Sequence, residues 1–246
     1  MNKPVIKTLY CSAALMSFAG MTQVNVQING AEYNYADNPR LAEVLAPVAL
    51  QAKWYWPAAT LYKLSSNTAQ IQREQLLQTL VDIKARYSAN TELQTVLASI
   101  ERQVKAWHLA ERVTTPIDYD FARLREQMNP RFDSGSYLLK LPLRPQVVQV
   151  FGAVQREVAV THQSSALVSH YLPDIERSPL ASDDEVILLQ PDGSRLAVGV
   201  AYWNQQHIEA MPGAQLYIPF KTQLFSADLA LLNQQLEQLA MHRILP

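Results

Sequence analysis

Thiols and glycines are what this sequence has least of. One cysteine, Cys11, stands among 246 residues, and only seven glycines are available for loops and turns. A single thiol closes no intramolecular disulfide, and it cannot help the five histidines form a metal site. Those histidines, His108, His162, His170, His207 and His242, show neither H-x-H nor H-E-x-x-H spacing. Phosphate loops and nucleophile elbows are missing too, and so few glycines leave little material for one. Nothing in the chain asks for a cofactor. Charge of one sign is also absent: 21 basic residues face 22 acidic ones. A chain without a basic surplus is not expected to bind nucleic acid or an anionic membrane surface.

The N-terminus carries what the rest lacks, a long apolar run. Lys3 and Lys7 precede Thr8–Phe18, and Ser17-Phe18-Ala19 places small residues at −3 and −1 of a cleavage point before Gly20. This is the pattern of a secretory leader, too short for a permanent bilayer span. Cys11 lies near the start of the run, not at its end, so no lipid attachment is expected. Residues 1–19 are therefore read as a signal peptide, and the mature chain as a periplasmic protein. Cleavage removes the only cysteine, which suits an oxidising compartment because nothing remains to mispair. Lys3 and Lys7 leave with it, so the mature chain is acidic on balance.

Beyond the leader, Val24, Val26 and Ile28 alternate with polar residues and predict a strand ending in an Asn29-Gly30 turn. Asp37 or Asn38 is placed to cap a helix opened by Pro39, with Leu41, Val44, Leu45 and Val48 on one face. Residues 66–87 and 91–109 carry helical periodicity without glycine or proline, and Tyr87-Ser88-Ala89-Asn90 joins them as a helical hairpin. A shorter helix is expected over Asp118–Gln127. Strands are predicted at Tyr137–Leu141, Val147–Phe151, Val158–Val160, Glu185–Leu189, Arg195–Val200 and Leu216–Phe220, with a short helix over Ser164–Tyr171. From Val147 onward that order reads as a small α+β domain of the ubiquitin-like β-grasp kind. Ser226–Ile244 closes the chain as an amphipathic helix with Leu229, Leu232, Leu236 and Leu239 in one stripe. Such a stripe is expected to pack on its own domain; a partner helix or a membrane surface are the alternatives.

Several segments together resemble the GfcC-type capsule biosynthesis proteins. They are the leader, Trp54-Tyr55-Trp56-Pro57, the helical hairpin, Gln190-Pro191-Asp192-Gly193, Ala201-Tyr202-Trp203-Asn204, His207 and Met211-Pro212-Gly213. The resemblance implies two β-grasp domains, the first (20–144) interrupted by the hairpin at 66–109, the second at 145–222. An amphipathic helix at 223–246 follows, in an arrangement similar to the periplasmic domains of the polysaccharide exporter Wza. It also implies a periplasmic accessory of capsule or exopolysaccharide export, with polysaccharide or the outer-membrane export machinery as partner. Stable membrane insertion is not expected of the final helix alone, because Asn233, Gln234, Gln235, Glu237 and Gln238 would face lipid. Related ligand-binding β-grasp domains place Pro-Gly after V-x-V-x-G-x-V; here Val148–Val154 runs on into Gln155-Arg156-Glu157.

The competing class is a polysaccharide hydrolase or lyase, and hydrolysis needs two carboxylates across a glycosidic bond. Asp118 and Asp120 are explained by capping and helix dipole, Asp183, Asp184 and Glu185 by a solvated loop, and His207 with Glu209 by a strand surface. No catalytic residue is assigned. The candidate ligand-binding residues are Arg123, Asp120, Trp54, Trp56, Trp203 and His207. Arg123 matches the resemblance's cavity arginine and also stands three residues after Asp120, so a ligand fork and a local ion pair are both open. Trp54 and Trp56, sharing one face of an extended segment, are read chiefly as core walls, with a sugar-stacking platform as the alternative. Trp203 is the same kind of case.

Overall fold

The computed structural model describes residues 23–222 and 226–245; the expected leader lies outside the described residues. Strand β1 (Val24–Ile28) buries Val24, Val26 and Ile28, as its alternation requires. Asn29 and Gly30 both take positive φ, 47° and 92°, and the chain returns as β2 (Ala31–Tyr35), an antiparallel edge strand. Two consecutive positive φ values match the right-handed twist of a two-residue hairpin. Helix α1 (Leu41–Leu45) begins later than its proline suggested, with Arg40 at the N-cap and its N–H donated to Glu43 Oε2 at 3.0 Å. Then follow β3 (Thr60–Lys63), α2 (Thr68–Arg86), α3 (Thr91–Ala106), β4 (Glu111–Val113), α4 (Tyr119–Leu124) and β5 (Gly135–Lys140). Asn90 caps α3 by accepting from the Leu93 N–H at 3.0 Å, and Asp118 caps α4 by accepting from Phe121 N–H at 3.0 Å.

The second run comprises β6 (Val147–Gly152), β7 (Val158–Thr161), β8 (Glu185–Leu189), β9 (Arg195–Gly199), β10 (Gln215–Ile218) and α5 (Ser226–Ala240). The N-terminal sheet is ordered β2-β1-β5-β3-β4, with β1 and β5 parallel. The C-terminal sheet is ordered β7-β6-β10-β8-β9, with β6 and β10 parallel. Position by position the two orders are the same, and the chain is a mixed α+β structure with two five-stranded sheets.

Four expectations change. Trp54–Trp56 is not strand-like: Trp56–Ala58 is a 3-10 turn with Pro57 in its first turn, where a missing N–H costs nothing. The predicted helix 118–127 breaks at Arg125, which is extended (φ −131°, ψ 116°), and resumes only as a 3-10 turn at Glu126–Met128. The predicted helix 164–171 shrinks to a 3-10 turn at Val168–Tyr171. The last helix stops at Ala240, and the tail beyond it bonds to the segment between α3 and β4; Arg243 bridges to Leu109, and Ile244 N–H donates to His108 O at 2.9 Å.

The hairpin falls between β3 and β4 in the chain, yet its apolar face fills the other core. Leu76, Leu80, Leu93, Leu97 and Ile100 share one buried cluster with Val148, Phe151 and Leu216 of the C-terminal sheet and with Leu229, Leu232, Leu236 and Leu239 of α5. Residues of the 166–181 segment, among them Val168, Tyr171 and Leu172, join the same cluster, and all four residues of the central strand β10 are buried. A smaller cluster of β1, α1, β3 and β5 side chains forms the N-terminal core.

Candidate functional site

Between the two sheets lies a cleft of about 110 Å³. The N-terminal sheet supplies Tyr62 from β3, Arg112 from β4 and Lys140 from β5. The C-terminal sheet supplies Gln149 from β6 and Gln215 from β10, Gln190 follows β8, and Arg243 arrives from the tail. Gly213 belongs here because at φ 85° it brings the backbone against Pro145, where a Cβ would stand 3.0 Å from the proline ring.

Each cation of the cleft has a partner within the chain. Arg243 lies over the rings of Trp107 (4.3 Å) and Phe151 (5.2 Å), donates to Gln215 Oε1 at 3.0 Å and pairs with Glu157. Burial lowers its pKa, and Glu157 opposes that shift. Arg112 donates one guanidinium N–H to the Pro191 carbonyl, and burial lowers its pKa as well. Its backbone N–H donates to His242 Nδ1 at 3.0 Å, which requires that nitrogen to be unprotonated; burial pushes the imidazole in the same direction, below its ordinary pKa. Lys140 donates to the Leu245 carbonyl and is likewise lowered by desolvation. Among the described residues no Asp or Glu lines the cleft. Positive charge partly stripped of water, beside three side-chain amides, is an environment that attracts a small anion.

The residues singled out in the sequence lie elsewhere. Arg123 sits on the exposed side of α4, 3.8 Å from Asp120 and over the Tyr119 ring at 5.3 Å. Trp54 and Trp56 are half-buried against the N-terminal core, and the Trp54 indole N–H donates to Val48 O at 2.8 Å. Tyr55 lies between them under the Arg144 guanidinium. His207 is exposed on the loop after β9. Trp203 is exposed at the rim of a different cleft, with Asp183, Asp184 and Glu185. Of the six candidates, then, none lines the cleft between the sheets. Arg112, Lys140 and Arg243 escaped notice because each looks like an ordinary surface cation in its own segment. One local sign existed: His242-Arg243 interrupts an otherwise apolar Leu239–Leu245.

Among the described residues, no group of three His, Cys, Asp or Glu side chains could hold a metal ion. No helix among them is long and apolar enough to cross a membrane.

Comparison with known proteins agrees with the architecture. The N-terminal model of the GfcC capsule biosynthesis family matches residues 20–142, and the C-terminal model matches residues 156–245. The chain is also 26% identical over 246 residues to YjbG of Escherichia coli K12, a protein described as uncharacterized, covering 99% of each chain. Two family models in the right order, together spanning nearly all of the described residues, make the assignment: the chain belongs to the GfcC family of capsule biosynthesis proteins.

Proposed function

We propose that this protein is a periplasmic, non-enzymatic accessory of capsule or exopolysaccharide assembly and export, and that it binds an acidic group of the polymer. The observation that carries this reading is the cleft between the sheets, where Arg112 and Lys140 converge beside Arg243, itself paired with Glu157, and no carboxylate among the described residues lines the wall. A guanidinium fork and an ammonium in a partly dehydrated site suit a uronate carboxylate or a phosphate diester. We take both sheets as β-grasp domains, the hairpin being an insertion in the first; their identical strand order and central parallel pair support this. The leader-like N-terminus supports a periplasmic address.

The carboxylates considered for hydrolysis support a non-enzymatic role. Asp118 caps a helix, Asp120 pairs with Arg123, Asp183 pairs with Lys221 at 2.6 Å, and Asp184 accepts from the Ser182 hydroxyl at 2.9 Å. None faces a second carboxylate across the cleft between the sheets.

The test is binding of the purified protein to an array of acidic and neutral oligosaccharides. Uronate- or phosphate-bearing glycans should bind, weaken with salt, and lose roughly tenfold in affinity on Arg112→Gln, the worth of a charge-assisted hydrogen bond. Binding indifferent to both salt and Arg112 would sink the cleft as the site. Chromatography after long incubation with the bound glycan should show no shorter products; reproducible cleavage would make the protein an enzyme.

A further inference from the structure

Of the four tryptophans, three are packed and one is not. Trp107 is buried and Trp54 and Trp56 are half-buried, whereas Trp203 is 76% exposed and its neighbour Tyr202 98%. The loop that carries them is nevertheless firmly held. Asn204 Nδ2 donates to Asp184 O at 2.9 Å, and Asn204 Oδ1 accepts from Ala201 N–H at 3.0 Å. Val200 N–H donates to that same Asp184 carbonyl at 2.9 Å, and Gln206 N–H donates to Gly199 O at 3.0 Å. Gly199 lies so close beneath the loop that a Cβ there would stand 2.9 Å from Asn204 Cγ. Two large aromatic side chains are thus presented to water by a pinned backbone. A loop that merely tolerated apolar residues would have no need of this rigidity. With the backbone already held, only the two side-chain torsions of the indole remain to be ordered when a ligand arrives.

Trp203 shares a cleft of about 420 Å³ with Asp183, Asp184, Glu185, Lys221 and Asn233. That volume is in the range of small-ligand sites, and the combination of one apolar wall with a few polar groups is what such sites use for orientation. The polar groups also decide the ligand's charge. Carboxylates only accept hydrogen bonds, so they suit a ligand rich in hydroxyl donors. Lys221 already pairs with Asp183, leaving an acidic surplus that repels carboxylates and phosphates. A ring with one C–H face to lay on the indole and a periphery of hydroxyls fits all of these demands.

We infer that Trp203 and the Asp183–Glu185 rim form a second glycan subsite, which takes a neutral pyranose ring. It rests on the reading above that the ligand is a glycan, but it uses none of the residues of the cationic cleft. The two subsites select opposite chemistry, so the polymer that occupies both carries neutral and acidic units in one chain.

The same array of neutral and acidic oligosaccharides tests the inference with the full chain, read alongside indole N–H resonances. Neutral glycans should shift the Trp203 indole signal, and Trp203→Ala should weaken them roughly tenfold or more with an unchanged melting temperature. Asp184→Asn should weaken the same glycans, while Arg112→Gln leaves them bound. If Trp203→Ala changes no glycan on the array, or changes only the acidic ones, the inference is overturned whatever the fate of the cationic cleft. It is also overturned if sedimentation shows Trp203→Ala dissociating a dimer, since the indole then serves a second copy of the chain. Loss of acidic binding on Arg112→Gln reports on the first reading separately.

Discussion

Gly152 ends β6 at φ 106°, and a Cβ added there would stand 2.6 Å from Tyr217 Cδ2 and collide with the Ile218 carbonyl. Left-handed strain costs roughly 1–2 kcal/mol and overpacking roughly 1–3 kcal/mol, so Gly152→Ala should destabilise by about 2–5 kcal/mol. Urea denaturation measures this, and a loss below about 1 kcal/mol would show that the parallel β6–β10 pair relaxes freely. The glycine was visible in the sequence, but the ring stacked beneath it was not. His242 offers a second single-residue test. Its folded pKa is depressed below the ordinary value near 6.5 because burial disfavours the imidazolium. The unfolded chain then binds the proton more readily, so the contribution is complete above pH 6.5 and is lost as pH falls toward the lower folded value. The urea midpoint of the wild type should therefore fall between pH 7 and pH 5 by more than that of His242→Asn, which does not titrate. Parallel falls in the two proteins would remove His242 from the account.

At the scale of one element, α5 shows how a helix that is long enough to be mistaken for something else is used. Its stripe of Leu229, Leu232, Leu236 and Leu239 is buried against the C-terminal sheet and α2. Polar ties fix its position: Asn233 accepts from the Tyr217 hydroxyl at 2.7 Å, Asp228 accepts from Tyr87 at 2.8 Å and from Arg86, and Glu237 pairs with Arg195 of β9. The periodicity of the stripe was legible in the sequence; the surface receiving it was not, because α2 lies far away in the chain. Leu236 is 1% exposed. Leu236→Asp removes about 1.5–3 kcal/mol of apolar burial and adds the cost of an unpaired carboxylate, so the whole fold should lose at least about 3 kcal/mol. Chemical denaturation reads the loss directly. A variant as stable as wild type would mean that α5 detaches without consequence.

For the molecule as a whole, the hairpin is the decisive connection. It leaves the N-terminal sheet at β3, fills the core of the C-terminal sheet and returns at β4, while the tail places Arg243 and Leu245 between the sheets. Tyr62 of the N-terminal sheet donates its hydroxyl to Arg243 O at 2.6 Å, and Gln215 of the C-terminal sheet accepts from the same arginine. Neither sheet can lose its core without releasing strands or ties of the other. Calorimetry should show one transition with matching calorimetric and van't Hoff enthalpies. Leu97→Ala, in the shared core, should lower that single transition by about 2–5 kcal/mol of stability without splitting it. Two resolved transitions in the wild type would show the sheets to be independent.

The sequence by itself determined the elements whose pattern is local. The hairpin over α2 and α3, the alternation of β1 and the stripe of α5 follow from periods of 3.6 or 2 written in adjacent residues, and the β8–β9 pair from an apolar run beside the Pro191-Asp192-Gly193 turn. Tertiary structure decided what periodicity cannot carry. Leu61 and Tyr62, adjacent in β3, are both buried because that strand is covered on both faces, and alternation vanishes with the second cover. The three-residue β4 and the exposed edge β2 are too short or too polar to announce themselves, and pairing alone makes them strands. Trp56 and Trp203 are the same residue type beside a tyrosine, yet one walls a core and the other faces water, because only the first has a core behind it. The cationic cleft is the extreme case. Arg112, Lys140 and Arg243 are far apart in the chain, and burial and charge at that point belong to the packing of the two sheets and not to any one segment.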